Sequence, residues 1–224
     1  MSELAQPLPL LYNFRRCPYA MRARLAIIAS GIAVNVRDIV LKHKPEAMLA
    51  ISPKGTVPVL LLPNGTVIDE SADIALWALT QRDPHRLLAL SDIEHQWMMA
   101  QLERNDSEFK HWLDRYKYFD RFPEQSQASY FAAAITSLQP LEQQLASHAG
   151  HFLFERLTLV DLLLLPFVRQ FAWVDSAAFA NAPLPRVQQW LAHGLAQPWF
   201  TYAMQKRPLW LATGTEYQLL LPMD

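Results

Sequence analysis

The chain has 224 residues, 51% of them hydrophobic, enough to bury one large core or two modest ones without disulfide or metal staples. Its 20 Lys and Arg against 21 Asp and Glu leave a formal charge of -1, which removes the electrostatic case for nucleic acid or an anionic membrane as main partner. A single cysteine excludes an intramolecular disulfide framework and fits a reducing, cytoplasmic setting.

In chain order, residues 1–6 carry Glu3 and lack the basic stretch and apolar run of a signal peptide, so no export is expected. Residues 8–14 form a short apolar run that predicts a strand. Residues 18–30 place Met21, Leu25 and Ile28 at helical spacing until Gly31. Residues 34–41 alternate as a strand, a short Pro-led helix covers 45–50, and 56–62 is another apolar β run. Asn64-Gly65 favours the positive φ of a tight hairpin turn into Val67-Ile68, and 71–81 closes the unit as an amphipathic helix. This βαβ, helix, ββα order is that of an α/β thioredoxin-like domain over 1–82.

Arg82-Asp-Pro-His-Arg86 combines charge with a helix-breaking proline, which places a linker at 83–90. Beyond it the spacing predicts helices over 92–116, 125–147, 158–171 and 186–196, hence an all-α domain over 91–224. The apolar stretch 152–173 is broken by Glu155, Arg156, Asp161 and Arg169, so it reads as a buried helix, not a membrane span.

Arg16-Cys17-Pro18-Tyr19-Ala20 sets the only thiol just before a proline suited to the first position of a helix. There the unpaired amides and the macrodipole favour a thiolate, with Arg15 and Arg16 close in sequence. Ala20 stands where a second cysteine would make a CxxC pair, so a mixed disulfide at Cys17 must be resolved by an outside thiol. In Lys54-Gly-Thr-Val-Pro-Val-Leu60, Pro58 removes one ladder donor and implies a bend, a cis peptide or an ordinary edge strand; in the first two cases the Val57 backbone can serve a ligand. In Asp69-Glu-Ser-Ala-Asp73, Ser71 is a good N-cap type and Glu70 can accept from an ammonium; a plain helix cap explains the same residues. The seven histidines are dispersed, and His148 with His151 lacks the Cys or acidic partners of a metal site, so no metal is expected. Phe109, Trp112, Tyr116 and Tyr118 form an aromatic stripe of the kind that builds cores.

Together these three stretches resemble the glutathione transferase superfamily, and Cys-Pro-Tyr-Ala most resembles its cysteine-containing, omega-like branch. The resemblance implies that glutathione is a cosubstrate whose sulfur faces Cys17. Val57 would pair through its backbone with the cysteinyl part, with Pro58 in cis. Glu70 and Ser71 would hold the γ-glutamyl end, and Lys44 the glycyl end. Thr158 with Asp161 resembles the family's buried capping box, a folding element, and Tyr12 reads as a packing residue of the first strand. The implied activity is glutathione-dependent thiol transfer through a mixed disulfide at Cys17. Conjugation of glutathione to an electrophile and a noncatalytic glutathione-binding role are the alternatives. A homodimer is implied, with residues 73–77 and the first long helix of the second domain as interface. The tail, 217–224, is expected to cover the cleft or pack on the helical domain.

Overall fold

The computed structural model describes residues 7–221, so the expectations for 1–6 and 222–224 lie outside the described residues. Two compact units emerge: the described parts of 1–85 with 198–224, and residues 86–197. The C-terminal segment from residue 198 therefore joins the first unit, whereas 91–224 was expected to be one helical domain.

In the first unit the elements are β1 (Leu10–Asn13), α1 (Pro18–Ser30), β2 (Val34–Asp38), α2 (Glu46–Ile51), β3 (Val59–Leu61), β4 (Val67–Ile68) and α3 (Ser71–Gln81). Together with β5 (Tyr217–Leu219) the strands form a mixed sheet in the order β4-β3-β1-β2-β5. β1 runs parallel to β2 and antiparallel to β3, with Leu11 opposite Val36 on one side and Leu60 on the other. β2 alternates buried and half-buried residues, as a strand covered mainly on one face should.

Helix α1 opens with Pro18 at its first position and stops at Gly31, whose φ of 65° is the left-handed conformation that glycine adopts without strain. It packs against α3 and against α10 (Pro198–Ala203), which is why nearly all of its residues are buried, Arg22 and Arg24 included.

The strand β5 (Tyr217–Leu219) overturns the all-helical reading of the second half: it pairs antiparallel with β2, Val36 opposite Tyr217. Residues 217–219 of the tail thus occupy an edge of the thioredoxin-like sheet, neither of the two places expected of them. An edge strand left open would present unpaired amides and carbonyls, and β5 satisfies those of β2. Between α10 and β5, α11 (Trp210–Thr213) sets Trp210 over the Arg37 guanidinium at 4.2 Å, and Arg37 also meets Glu216 at 2.6 Å.

The second unit contains α4 (Asp92–Arg104), a π-helical turn (Asn105–Phe109), α5 (Lys110–Lys117), α6 (Gln127–Ala146), α7 (Leu159–Ala172), α8 (Ser176–Ala180) and α9 (Pro185–Leu195). The helix expected over 92–116 is thus interrupted by the π turn, at a run of residues, Asn105-Asp-Ser, whose side chains compete with helical backbone bonding. Phe109 and Tyr116 are buried with Phe171, their rings edge-on or tilted at 5.6 and 5.4 Å, so these members of the aromatic stripe are core. Thr158 and Asp161 form the reciprocal capping box of α7: the Thr158 amide donates to Asp161 Oδ2 at 2.9 Å.

Among the described residues no helix is long and apolar enough to cross a membrane, and no group of three or more His, Cys, Asp and Glu is placed to hold a metal ion.

Candidate functional site

Cys17 is the N-cap residue of α1, with extended φ and ψ of -72° and 125°. Its amide donates to Phe14 O at 3.0 Å and its carbonyl accepts from Met21 at 2.9 Å, so the residue closes a turn and opens the helix in one step. The side chain is half-buried, so a reactant can approach it, and it lies where the partial positive charge of the helix N-terminus is concentrated.

The Val57-Pro58 peptide bond is cis. β3 begins only at Val59, so Pro58 interrupts no ladder and the expected strand over 56–62 is shortened. Val57 is buried, and its carbonyl lies 3.7 Å from Cys17 Sγ, which brings the two sequence motifs into contact. The Lys44 ammonium reaches the same loop, 3.6 Å from where a Cβ on Gly55 would stand. Lys44 itself is exposed, and Gly55 holds a φ of 62°. Cys17, Val57, Pro58 and Lys44 are thus gathered around one loop.

At the start of α3 the sequence reading needs correction: Glu70 is the N-cap, and Ser71 is the first helical residue. Ser71 is buried and its hydroxyl accepts from Arg22 Nη1 at 3.2 Å. Because Arg22 lies on α1, this bond links the helix that carries the thiol to the one that carries Ser71. Glu70 is exposed and accepts from Lys54 Nζ at 2.6 Å, while Lys54 lies 3.3 Å from Asp69, which also accepts from Ser52 Oγ at 2.7 Å. The Ser52 hydroxyl, followed by the nearby Lys54 ammonium, holds the Asp69 carboxyl below the usual range. Burial pulls Lys54 down, but its bonds to Glu70 and Asp69 outweigh that and raise it overall. An incoming ammonium would therefore share Glu70 with Lys54.

Tyr12 lies in the apolar cluster with Ala20, Ile39, Met48, Val57 and Val59, against which Cys17 packs. Its hydroxyl accepts from Arg37 Nη1 at 2.9 Å, so it is engaged on the sheet. The sequence reading missed Lys54, Arg22 and Arg24. The signal available for the two arginines was their place in an otherwise apolar helix, five and seven residues after the thiol.

The family described as glutathione S-transferase, N-terminal domain, matches residues 11–86. Residues 11–86 thus carry a glutathione S-transferase N-terminal domain. Over 62 residues it is 45% identical to glutathione S-transferase omega-1 of Sus scrofa, a stretch covering 28% of this chain and 26% of that protein. Over 202 residues it is 26% identical to elongation factor 1-gamma 1 of Oryza sativa subsp. japonica, covering 87% of this chain and 48% of that one. The matched regions thus span about a quarter and about half of these relatives' lengths. In fold it is similar to a glutathione transferase family member from Pseudomonas fluorescens pf-5 crystallised with two glutathione bound, with a TM-score of 0.75 at 17% identity over 91% of this chain and 95% of that one. The glutathione transferase fold, a thioredoxin-like unit with a helical unit, therefore describes the chain beyond its matched domain.

Proposed function

We propose that this chain is a member of the glutathione transferase superfamily and a glutathione-dependent thiol transferase acting through a mixed disulfide at Cys17. The observation that carries the reading is the placement of Cys17 as N-cap of α1 with its sulfur against the Val57 carbonyl beside a cis proline. The cysteine stands where a glutathione sulfur would arrive if Val57 paired with the cysteinyl backbone. The γ-glutamyl group would extend toward Glu70 and Ser71, and the glycyl carboxylate toward Lys44. Glutathione bound in the fold relative from Pseudomonas fluorescens and the omega-1 resemblance of the N-terminal region support this.

In the first step the Cys17 thiolate attacks the glutathionyl sulfur of a mixed disulfide, forms a bond to it and expels the other sulfur as a thiolate that takes up a proton. A second glutathione, as thiolate, then attacks the Cys17–glutathione disulfide, and glutathione disulfide leaves as Cys17 is regenerated. Overall the glutathionylated substrate and one free glutathione become the substrate thiol and glutathione disulfide. With Ala20 in place of a second cysteine, that second thiol has to come from outside the chain.

The reaction needs a reduced thiol pool, which is the argument for a cytoplasmic site of action. Exposed Leu76 on α3, and separately exposed Ile93 and Met99 on α4, support self-association as a homodimer. A second reading, a glutathione-binding module without turnover, is favoured by the similarity, over 87% of this chain and 48% of the relative, to elongation factor 1-gamma 1, whose name is not that of a transferase.

The test is the rate at which the purified chain reduces a glutathionylated small disulfide, compared with Cys17→Ser. Loss of nearly all activity on substitution supports thiol transfer. An active variant moves the assignment to conjugation, and an inactive wild type that still binds glutathione moves it to the binding module.

A further inference from the structure

Arg24 lies seven residues after Cys17 on α1, so two helical turns bring it back to the same face. Helical side chains lean toward the N-terminus, and a long guanidinium there can reach back to the loop that precedes the helix. It does so: Arg24 Nη2 donates to the carbonyl of Arg15 at 2.8 Å, two residues before the thiol. The same nitrogen is 3.7 Å from Met204 Sδ, Nε donates to Ala203 O at 3.2 Å, and Nη1 donates to Asn13 Oδ1. Asn13 passes the contact on, its Nδ2 donating to Asp38, whose Oδ1 also accepts from the Tyr217 hydroxyl at 3.4 Å. Arg24, Asn13 and Asp38 are all buried. Three edges of the guanidinium are thus used against three segments of chain, a task for a planar five-donor fork and not for an ammonium.

We propose that Arg24 is a positioning residue for Cys17: anchored by the C-terminal segment through Ala203 and Met204, it fixes the Arg15–Cys17 loop and supplies the buried cation that favours the thiolate. This rests on the reading of Cys17 as the nucleophile. The charges that act on Arg24 are Asp38 at the end of β2, Tyr217 on β5, the Cys17 thiolate at the N-cap and Arg15 in the loop. Burial lowers the Arg24 guanidinium from its usual value, yet an arginine keeps its proton through the neutral range, so its charge is permanent. Burial likewise raises the Asp38 carboxyl and the Tyr217 phenol, which Asp38 pushes up further. The anion on Asp38 opposes the effect of Arg24 on the thiolate, and the two residues therefore move the thiol in opposite directions.

The experiment is the pH dependence of Cys17 alkylation by iodoacetamide in the full chain, for wild type, Arg24→Gln, Arg24→Lys and Asp38→Asn. The wild-type thiol should titrate below the ordinary value of about 8.5. Arg24→Gln should raise that midpoint by about one unit, which slows alkylation about tenfold at a pH below both midpoints, and Arg24→Lys should recover part of the loss. Asp38→Asn, nearly isosteric, should lower the midpoint, and it decides the matter alone if the Arg24 variants do not fold. A residue that only stabilises the fold would move both in one direction or neither. The proposal is overturned if Arg24→Gln titrates with wild type, or if Asp38→Asn raises the midpoint or leaves it unchanged. A wild-type thiol titrating at the ordinary value overturns the nucleophile reading itself, an outcome distinct from a low wild-type midpoint that the variants leave unmoved.

Discussion

Asp161 in the helical unit and Arg24 in the thioredoxin-like unit are both cut off from solvent, at 2% and 1% exposure, but they find their partners at different ranges. Asp161 accepts from the Leu153 amide at 2.8 Å, the Thr158 amide at 2.9 Å, the Thr158 hydroxyl at 3.1 Å and the Trp190 indole at 2.9 Å. Three of these four donors lie within eight residues of it. Arg24 draws on Arg15 and Asn13 nearby but also on Ala203, some 179 residues away. A buried charge satisfied locally secures one helix start, whereas one satisfied from remote segments couples those segments to each other. The first arrangement serves stability; the second ties a C-terminal segment to the loop of the thiol.

The largest expected effect comes from breaking the local member of the pair. Asp161→Ala strands several buried donors at once, and a loss on the order of 3 kcal/mol follows if each costs about 1 kcal/mol. At about 2–4 °C per kcal/mol for a chain of this size, thermal unfolding followed by circular dichroism should shift down by roughly 6–12 °C. Asp161→Asn keeps an acceptor oxygen and should recover part of it. Neither should alter the alkylation midpoint of Cys17, the readout that Arg24→Gln moves.

The same contrast in range governs what the sequence made legible. Helix α1, the hairpin turn at Asn64-Gly65 and the Thr158–Asp161 box were readable because caps, turn residues and periodicity act over a few residues. The boxed start of α4 was equally readable, since Ser91 and Glu94 have the required spacing, but it was overlooked. β5 was not readable: the alternation of Tyr217-Gln-Leu219 is too short to mark a strand, and the segment is drawn into the sheet by the open edge of β2, some 180 residues earlier. The thiol, the cis proline and Glu70-Ser71 stood out individually. Their shared loop with Lys44, the engagement of Glu70 by Lys54 and the bond from Arg22 to Ser71 arise only when non-adjacent elements pack.

A middle-sized effect tests whether the loop beside the thiol is a binding element or only a turn. At Gly55 the φ of 62° disfavours any Cβ, and one built there would come within 3.1 Å of Leu49 Cδ2 and 3.6 Å of Lys44 Nζ. Gly55→Ala should cost about 1 kcal/mol of stability. If Lys44 and Val57 hold glutathione, the disturbed loop should also weaken glutathione binding about fivefold by calorimetric titration, the equivalent of about 1 kcal/mol. Unchanged affinity with the stability loss intact would separate the loop from the site.

The smallest effect sharpens the comparison from the other side, because Glu94 repeats the Asp161 arrangement at the surface. It accepts from the Ser91 amide at 2.7 Å and from Arg156 at 2.9 Å, and these bonds, Arg156 first, hold its carboxyl down to about 2 from a usual 4.5. A carboxyl depressed in the folded chain contributes stability that is fully present above pH 4.5 and is lost as the pH falls toward 2. With the Arg156 side chain 44% exposed, solvent screening limits that contribution to about 1 kcal/mol at most. Glu94→Gln should therefore be less stable than wild type at pH 7 by no more than that amount in urea unfolding. The two curves should converge as the pH falls from 4.5 toward 2. A difference as large as that of Asp161→Ala would mean that burial contributes little to what a capping carboxylate is worth in this fold; a small and pH-dependent one assigns the extra stability at Asp161 to its dry surroundings.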